Sequence, residues 1–199
     1  MAAVPKWNDS RIPGITLLVV LGSLVFYLIP ETTTWVVYDR DQLLHGDIWR
    51  LFTGHLVHFS WRHLFFNLGV FAVLGYLLEL HYNRGLFLWL IALTALISSL
   101  YFLLFIPEMS KYGGLSGLVS AAVVYLSLCE IRTKARFNMI WVVILVLFLA
   151  KVGYELFIGE AIFASGDNLD FMVVPSAHIV GAVLAVIIFI YREKLRKSD

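Results

Sequence analysis

Six stretches of nearly uninterrupted apolar residues limit what this sequence can fold into. They lie at about 13–29, 63–81, 86–106, 114–129, 140–158 and 171–191. A helix needs about 20 such residues to cross the hydrocarbon core of a bilayer. Charged residues make up only 15% of the chain, whereas about a quarter are charged in soluble domains. The sequence therefore predicts one all-α membrane domain over residues 1–199, a bundle of six transmembrane helices.

Lysines and arginines are distributed unevenly around these stretches. If the N-terminus is cytoplasmic, ten of them fall on the cytoplasmic side: Lys6, Arg11, Arg84, Arg132, Lys134, Arg136, Arg192, Lys194, Arg196 and Lys197. Four fall on the opposite side: Arg40, Arg50, Arg62 and Lys111. Basic residues of membrane proteins concentrate on the cytoplasmic side. We therefore expect both termini in the cytoplasm and the long connection at 30–62 on the outer side.

The fourth stretch is too short for a full crossing. From Gly114 to Glu130 there are 16 residue steps, or about 24 Å of helix at 1.5 Å per residue. The segment before it, which ends in Gly113-Gly114, has the composition of a loop. We expect this loop to dip below the outer surface, where irregular backbone must be buried in protein or line a wet cavity. The sequence therefore predicts a water-containing cavity that opens to the outer side of the membrane.

Ser116 and His178 are predicted to lie at the same depth. Each precedes a charged residue at the cytoplasmic end of its helix by 14 positions, which is about 21 Å. Small residues at helical spacing let two membrane helices approach closely. Both helices carry such residues: Gly117, Ser120 and Ala121 on one, and Ala177, Gly181 and Ala185 on the other.

A serine and a histidine placed in this way predict a nucleophile and its base. A serine hydroxyl becomes an effective nucleophile when a neighbouring base takes its proton. We expect no buried acidic residue beside His178, so the prediction is a dyad. Attack on a peptide carbonyl also needs hydrogen-bond donors for the oxyanion. The predicted donors are His63 and Asn67, which share a helix face, and the Ser116 backbone N–H at a helix start.

Several motifs resemble those of the rhomboid family of intramembrane serine proteases. Gly114-Leu115-Ser116-Gly117 is similar to its Gly-x-Ser-Gly motif, and Ala177-His178-Ile-Val-Gly181 to its Ala-His-x-x-Gly motif. His58, His63 and Asn67 resemble its second-helix motif, Trp49-Arg50 its first-loop motif, and Glu79 a glutamate that ties cytoplasmic helix ends together. The resemblance implies a six-helix rhomboid-like bundle, a Ser116–His178 dyad and the same oxyanion donors. It implies no metal and no cofactor.

The sequence also departs from the family pattern. Ser120 stands where many rhomboids have an aromatic residue stacked on the histidine, and Ala185 replaces a glycine. His55 lies three residues before His58, where a histidine four residues before is common. The compact chain and the segment Thr53-Gly54-His55-Leu-Val-His58 are similar to the bacterial rhombosortase subgroup. That subgroup is thought to process proteins with a C-terminal Gly-Gly, transmembrane helix and basic tail.

The resemblance implies a setting and partners. We expect a multi-pass protein of the bacterial inner membrane, with an active site that opens to the periplasmic side. The expected partners are the lipid bilayer and membrane-anchored protein substrates, cleaved in or next to their transmembrane segments. Nucleic acid is not an expected partner, and the oligomeric state stays open.

Lys151 and Glu155 are ionisable residues within an apolar stretch, which makes them functional candidates. They are four residues apart and can form an ion pair on one helix face. One interpretation is that Lys151 extends outward to the interface while pairing with Glu155. A second is that the pair lines the substrate entrance, and a third is that Lys151 replaces His178 as the base.

Other classes of protein fit the sequence less well. His55, His58 and His63 could bind zinc, but the His-Glu-x-x-His motif of zinc proteases is absent from the sequence. A small transporter with a polar midplane cavity predicts inverted repeats and paired broken helices, and the sequence has one interrupted helix. An inactive rhomboid-like protein that binds transmembrane helices has no need of both Ser116 and His178.

Overall fold

The computed structural model describes residues 12–133, 138–159 and 175–198. Their helices are α1 (Gly14–Leu28), α2 (Pro30–Val36), α3 (Arg40–Leu44), α4 (Arg50–Thr53), α5 (Trp61–Leu77), α6 (Arg84–Phe105), α7 (Ser116–Arg132), α8 (Asn138–Ile158) and α9 (Pro175–Ser198). A 3₁₀ turn follows α4 at Gly54–Leu56, and a π turn follows α5 at Leu78–Tyr82. Two short strands, β1 (Tyr38–Asp39) and β2 (Lys111–Tyr112), pair antiparallel. The predicted all-α membrane fold is confirmed.

Four segments are long and apolar enough to cross a membrane: Trp61–Tyr82, Arg84–Phe105, Asn138–Ile158 and Pro175–Lys197. α1 and α2 pass the same test together, with a bend of 117° between them. α7 has 17 residues, the short span that the sequence predicted. The count of six crossings stays a prediction. Residues 171–174 of the sixth predicted helix lie outside the described residues, as do Lys6, Arg11, Lys134 and Arg136.

α7 lies at the centre of the bundle. Its residues Ala121, Ala122, Tyr125 and Leu126 are fully buried, in one core with side chains of α5, α6 and α9. Small and aliphatic residues on every face of α7 let neighbouring helices pack around it. α8 is different, since Val152 and Glu155 are its buried residues among those described. Trp141, Ile144, Leu145 and Phe148 of α8 are partly buried against the core, and its exposed apolar side chains, such as Val146 and Phe157, face away from the protein.

The connection at 30–62 is here called the outer segment, after the side on which it is predicted to lie. It is folded rather than a plain loop, because it contains α2, β1, α3 and α4. The buried Arg50 side chain donates to the Asp47 carboxylate at 2.9 Å and to the carbonyl oxygens of Thr34 and Val37 at 3.0 and 2.9 Å. The Trp49 indole N–H donates to the Trp35 carbonyl oxygen at 3.0 Å. The Trp49-Arg50 pair singled out in the sequence therefore holds α4 against the rest of this segment.

Glu79 ties the end of α5 to the start of α1. Its buried carboxylate accepts hydrogen bonds from the backbone N–H groups of Ile15 and Thr16 at 3.0 and 2.9 Å, and from the Thr16 hydroxyl at 2.9 Å. Arg84 lies 3.2 Å from the same carboxylate. The first N–H groups of a helix have no partners within it, and Glu79 supplies them for α1.

Candidate active site

The site is built on a close contact between α7 and α9. A Cβ atom on Gly181 would overlap the carbonyl oxygen of Gly117, and a Cβ atom on Gly117 would lie 3.1 Å from the carbonyl oxygen of Ala177. Backbone therefore lies directly against backbone, which small residues permit. This contact brings His178, next to Ala177, against the first turn of α7.

Gly114 shapes the loop that leads into Ser116. Its φ is +138°, a conformation that residues with a Cβ atom rarely adopt. A Cβ atom there would also lie 2.7 Å from Cε1 of His63. Glycine is therefore required twice over, by the turn and by the approach of the His63 ring.

His58 holds the same loop from the other side. Its Nδ1 donates to the Leu56 carbonyl oxygen at 3.1 Å, and its Nε2 accepts from the Leu115 N–H at 3.4 Å. Burial lowers the pKa of His58 to about 3, so the ring is neutral and Nε2 is free to accept. His58 therefore positions the residue that precedes Ser116.

Ser116 is the first residue of α7 and is half-buried. In the loop before it, the Tyr112 hydroxyl donates to the Gly114 carbonyl oxygen at 2.9 Å. Burial raises the pKa of Tyr112 to about 12, so Tyr112 keeps its proton at neutral pH. Among the described residues, no hydrogen bond joins the Ser116 hydroxyl to His178, and the dyad stays a prediction.

Both ring nitrogens of His178 have polar partners. Ser120 Oγ lies 2.7 Å from the Ser116 carbonyl oxygen and 2.9 Å from His178 Nδ1. Because Ser120 donates its single proton to that carbonyl, it can only accept from the ring, so Nδ1 carries a proton. The lone pair of the neutral ring is then on Nε2, where Lys151 Nζ donates at 3.2 Å.

One expectation about this histidine was wrong, and so was one of the three interpretations of Lys151. Glu155 is buried, and its Oε2 lies 3.3 Å from His178 Nε2, so an acidic residue does stand beside the ring. Lys151 does pair with Glu155, at 2.8 Å, but its ammonium points to His178 rather than outward to the interface. The apolar pattern of α8 gave no indication of this, because it does not fix which side of the helix faces α9.

His63 and Asn67 lie on α5, beside the start of α7. The His63 ring packs edge-on against the His58 ring, with ring centroids 5.0 Å apart. The Asn67 amide donates to the His63 carbonyl oxygen at 3.0 Å, which fixes the side chain on this helix face. The structure thus brings His63 to Gly114, while the oxyanion roles of His63 and Asn67 stay a prediction.

A second serine–histidine pair was not anticipated from the sequence. His55 Nε2 lies 3.1 Å from Ser99 Oγ and 3.0 Å from the Ala95 carbonyl oxygen, and Ser99 donates to the Leu51 carbonyl oxygen at 2.8 Å. Both side chains are fully buried, and the Ser99 proton is already engaged. This pair fastens the 3₁₀ turn to α6 and is not accessible to a substrate.

Zinc binding by His55, His58 and His63 was an alternative that fitted the sequence less well. Within residues 12–133, 138–159 and 175–198, no group of three or more His, Cys, Asp or Glu side chains is arranged to hold a metal ion. His55 Nε2 and both ring nitrogens of His58 make the hydrogen bonds described above.

Comparison with known proteins gives a match over most of the chain. The family model of the Rhomboid domain matches residues 45–194. Rhomboid protease GlpG of Photorhabdus laumondii is 30% identical over 152 residues, 68% of this chain and 53% of that protein. Rhomboid protease GlpG of Salmonella paratyphi A is 32% identical over 125 residues, 58% of this chain and 44% of that protein. The chain spans about half the length of the curated relatives it matches.

Proposed function

Since the chain belongs to the rhomboid family, we propose that it is an intramembrane serine protease with Ser116 as nucleophile and His178 as general base. The observation that carries this proposal is the contact of α7 and α9 at Gly117 and Gly181. It places His178 beside the helix turn that begins with Ser116, although 62 residues separate them in the chain (178 − 116). Named relatives that are rhomboid proteases support the same activity.

The proposed reaction starts with the Nε2 lone pair of His178. A small movement of the ring away from Lys151 lets Nε2 accept the Ser116 hydroxyl proton as Oγ attacks the substrate carbonyl carbon. The Ser116 N–H, His63 and Asn67 donate to the oxyanion that forms. His178 then gives its proton to the departing amine, which leaves an acyl group on Ser116 Oγ. Water attacks this ester by the same route in reverse and frees the serine.

The proposed substrates are membrane-anchored proteins. Their scissile bond lies in or next to a transmembrane segment, because the proposed site is at the start of α7, which the sequence predicts to lie below the membrane surface. A substrate helix has to unwind there to present its carbonyl, which favours small or helix-breaking residues near the bond. The finer proposal is a substrate of the rhombosortase kind, with a C-terminal Gly-Gly, a transmembrane helix and a basic tail. We place the protein in the bacterial inner membrane, with both termini cytoplasmic and the site open to the periplasm.

The test uses a fluorophosphonate probe and a membrane-anchored reporter on the purified full chain. We expect the probe to label Ser116, and Ser116→Ala to lose both labelling and cleavage. His178→Ala should lower kcat by about 10⁴-fold or more, the scale seen when a member of a catalytic unit is removed. Ser127→Ala is the matched control, since Ser127 is a buried serine of the same helix whose hydroxyl has no hydrogen-bond partner within the described residues.

Three results would contradict the proposal. Labelling that persists in Ser116→Ala removes the assigned nucleophile. Label found on Ser99 would move the activity to the buried pair of His55 and Ser99. Reporter cleavage that survives His178→Ala at the wild-type rate removes the assigned base.

A further inference from the structure

We propose that Lys151 and Glu155 are positioning residues for His178: a charge pair that orients the ring and balances its charge when it takes the Ser116 proton. This inference rests on the proposed function. It assigns to α8 a part in the reaction that the nucleophile, the base and the oxyanion donors do not supply.

The pair is placed against the ring rather than towards the lipid. Lys151 Nζ lies 2.8 Å from Glu155 Oε2, and both atoms approach His178 Nε2, at 3.2 and 3.3 Å. The Glu155 side chain is 1% exposed and the Lys151 side chain 23%. Ionised groups inside a membrane protein are costly unless they are paired and used. Here they are paired on a helix whose other side chains are mostly turned outward.

The pair completes the set of contacts that fixes the ring. Ser120 accepts the Nδ1 proton, so Nε2 carries the lone pair, and Lys151 is the donor that faces it. Without Lys151, the Nε2 lone pair would face the Glu155 carboxylate and have no donor. Loss of that donor would let the ring rotate away from the position that faces the Ser116 turn.

The two charges act on the ring in opposite directions. The Lys151 ammonium disfavours a second positive charge on the imidazole at rest. The Glu155 carboxylate stabilises that positive charge once the ring has taken the Ser116 proton. Other groups that face His178 are His63 from α5, and Ser116 and Ser120 from α7. None of these carries a fixed charge, so the pair sets the local field.

The same geometry argues against Lys151 as the base. A lysine can take a serine proton only in its neutral form. The Glu155 carboxylate at 2.8 Å stabilises the ammonium form, which has a proton to donate and no lone pair. Lys151 therefore serves His178 and does not replace it.

The test is the pH dependence of kcat/KM for cleavage of the membrane-anchored reporter. In Lys151→Met, Glu155 keeps its negative charge beside the ring, so the pH of half-maximal kcat/KM on the acid side should rise by about one unit, a typical effect of one close charge. In Glu155→Gln this half-maximal pH, the midpoint of the acid limb of the pH profile, should move to lower pH, and the plateau kcat should fall about tenfold. The double variant Lys151→Met/Glu155→Gln should return the midpoint towards the wild-type pH. Lys151→Arg keeps the positive charge and should leave the midpoint at the wild-type pH.

Each alternative has its own outcome. Acid limbs that stay at the wild-type pH in both single variants overturn the inference, and a raised KM with an unmoved limb assigns the pair to the substrate entrance instead. Where Lys151→Met does not accumulate, Lys151→Gln gives the same comparison, and fluorophosphonate labelling rates measured in native membranes against pH replace cleavage. A wild-type protein that neither cleaves the reporter nor takes the probe would instead defeat the proposed function itself.

Discussion

Arg192 of α9 donates a hydrogen bond of 2.8 Å to the Tyr125 hydroxyl of α7. Arg132 and Glu193 form an ion pair between the same two helices, nearer the C-terminal end of α7. The opposite end of this helix pair is held by the Gly117–Gly181 contact. Contacts therefore hold α7 against α9 near both ends of α7. The relative position of Ser116 and His178 depends on these contacts.

A methyl group at the Gly181 contact should separate the two helices. We expect Gly181→Ala to lower the free energy of unfolding by about 1–3 kcal/mol, the usual range for overpacking, and to reduce cleavage more than stability. Gly153→Ala is the control, because a Cβ atom on Gly153 of α8 meets no other atom within 4 Å. Thermal unfolding in detergent and reporter cleavage measure the two effects. Equal stability in both variants would contradict the close contact.

The two charges at the junction of α5 and α6, Glu79 and Arg84, should contribute very unequally to stability. Glu79→Gln leaves the N–H groups at the start of α1 without their charged acceptor and should cost about 3 kcal/mol, as expected for breaking a buried charged pair from one side. Arg84→Gln should cost less than about 1 kcal/mol, because the Arg84 side chain is 61% exposed and exposed ion pairs contribute little. Denaturant unfolding of both variants tests this, and a larger loss for Arg84→Gln would refute it.

Ser120→Ala removes the acceptor of the His178 Nδ1 proton. We expect kcat to fall about tenfold, the value of one hydrogen bond of about 1.4 kcal/mol, with KM little changed. The ring would be free to adopt the other tautomer, which places a proton on Nε2. Ser127→Ala should keep wild-type kinetics. Steady-state cleavage of the reporter by both variants decides the point, and a changed KM with unchanged kcat would speak for substrate contact by Ser120.

His55 should make stability depend on pH in the acid range. Burial lowers its pKa to about 4, whereas a histidine in an unfolded chain titrates near about 6.5. The unfolded state therefore binds the proton more tightly, so the stabilisation present above pH 6.5 decreases as the pH falls towards 4. His55→Gln should flatten the fall of Tm over this window, and His45→Gln, at an exposed histidine of the outer segment, should not. Parallel curves of Tm against pH for His55→Gln and wild type would contradict the role of His55 in this pH dependence.

Local pattern predicted much of this arrangement. Hydropathy indicated where the chain forms apolar helices, since every backbone polar group must be satisfied inside the lipid. Ser116, Gly117, His178 and Gly181 could be found because close packing and chemistry fix both residue type and spacing along one helix. Glu79 was indicated by the resemblance to the rhomboid family rather than by this reasoning.

Contacts between helices that depend on rotation about the helix axis could not be predicted. Apolar residues occupy most positions of α8, so its sequence does not indicate which face meets α9, and the contact of Glu155 with His178 was missed. The pairing of His55 with Ser99 depends in the same way on how the 3₁₀ turn lies against α6. Such contacts follow from tertiary packing alone, which spacing within one helix does not describe.

The two-residue strands have a mechanical consequence. Tyr38 lies opposite Tyr112 in the β1–β2 pair, and the Tyr112 hydroxyl donates to the carbonyl oxygen of Gly114, two residues before Ser116. The segment at 30–62 and the turn that leads into Ser116 are thus joined through one tyrosine. A displacement of β1 would therefore be passed to the start of α7 through Tyr112.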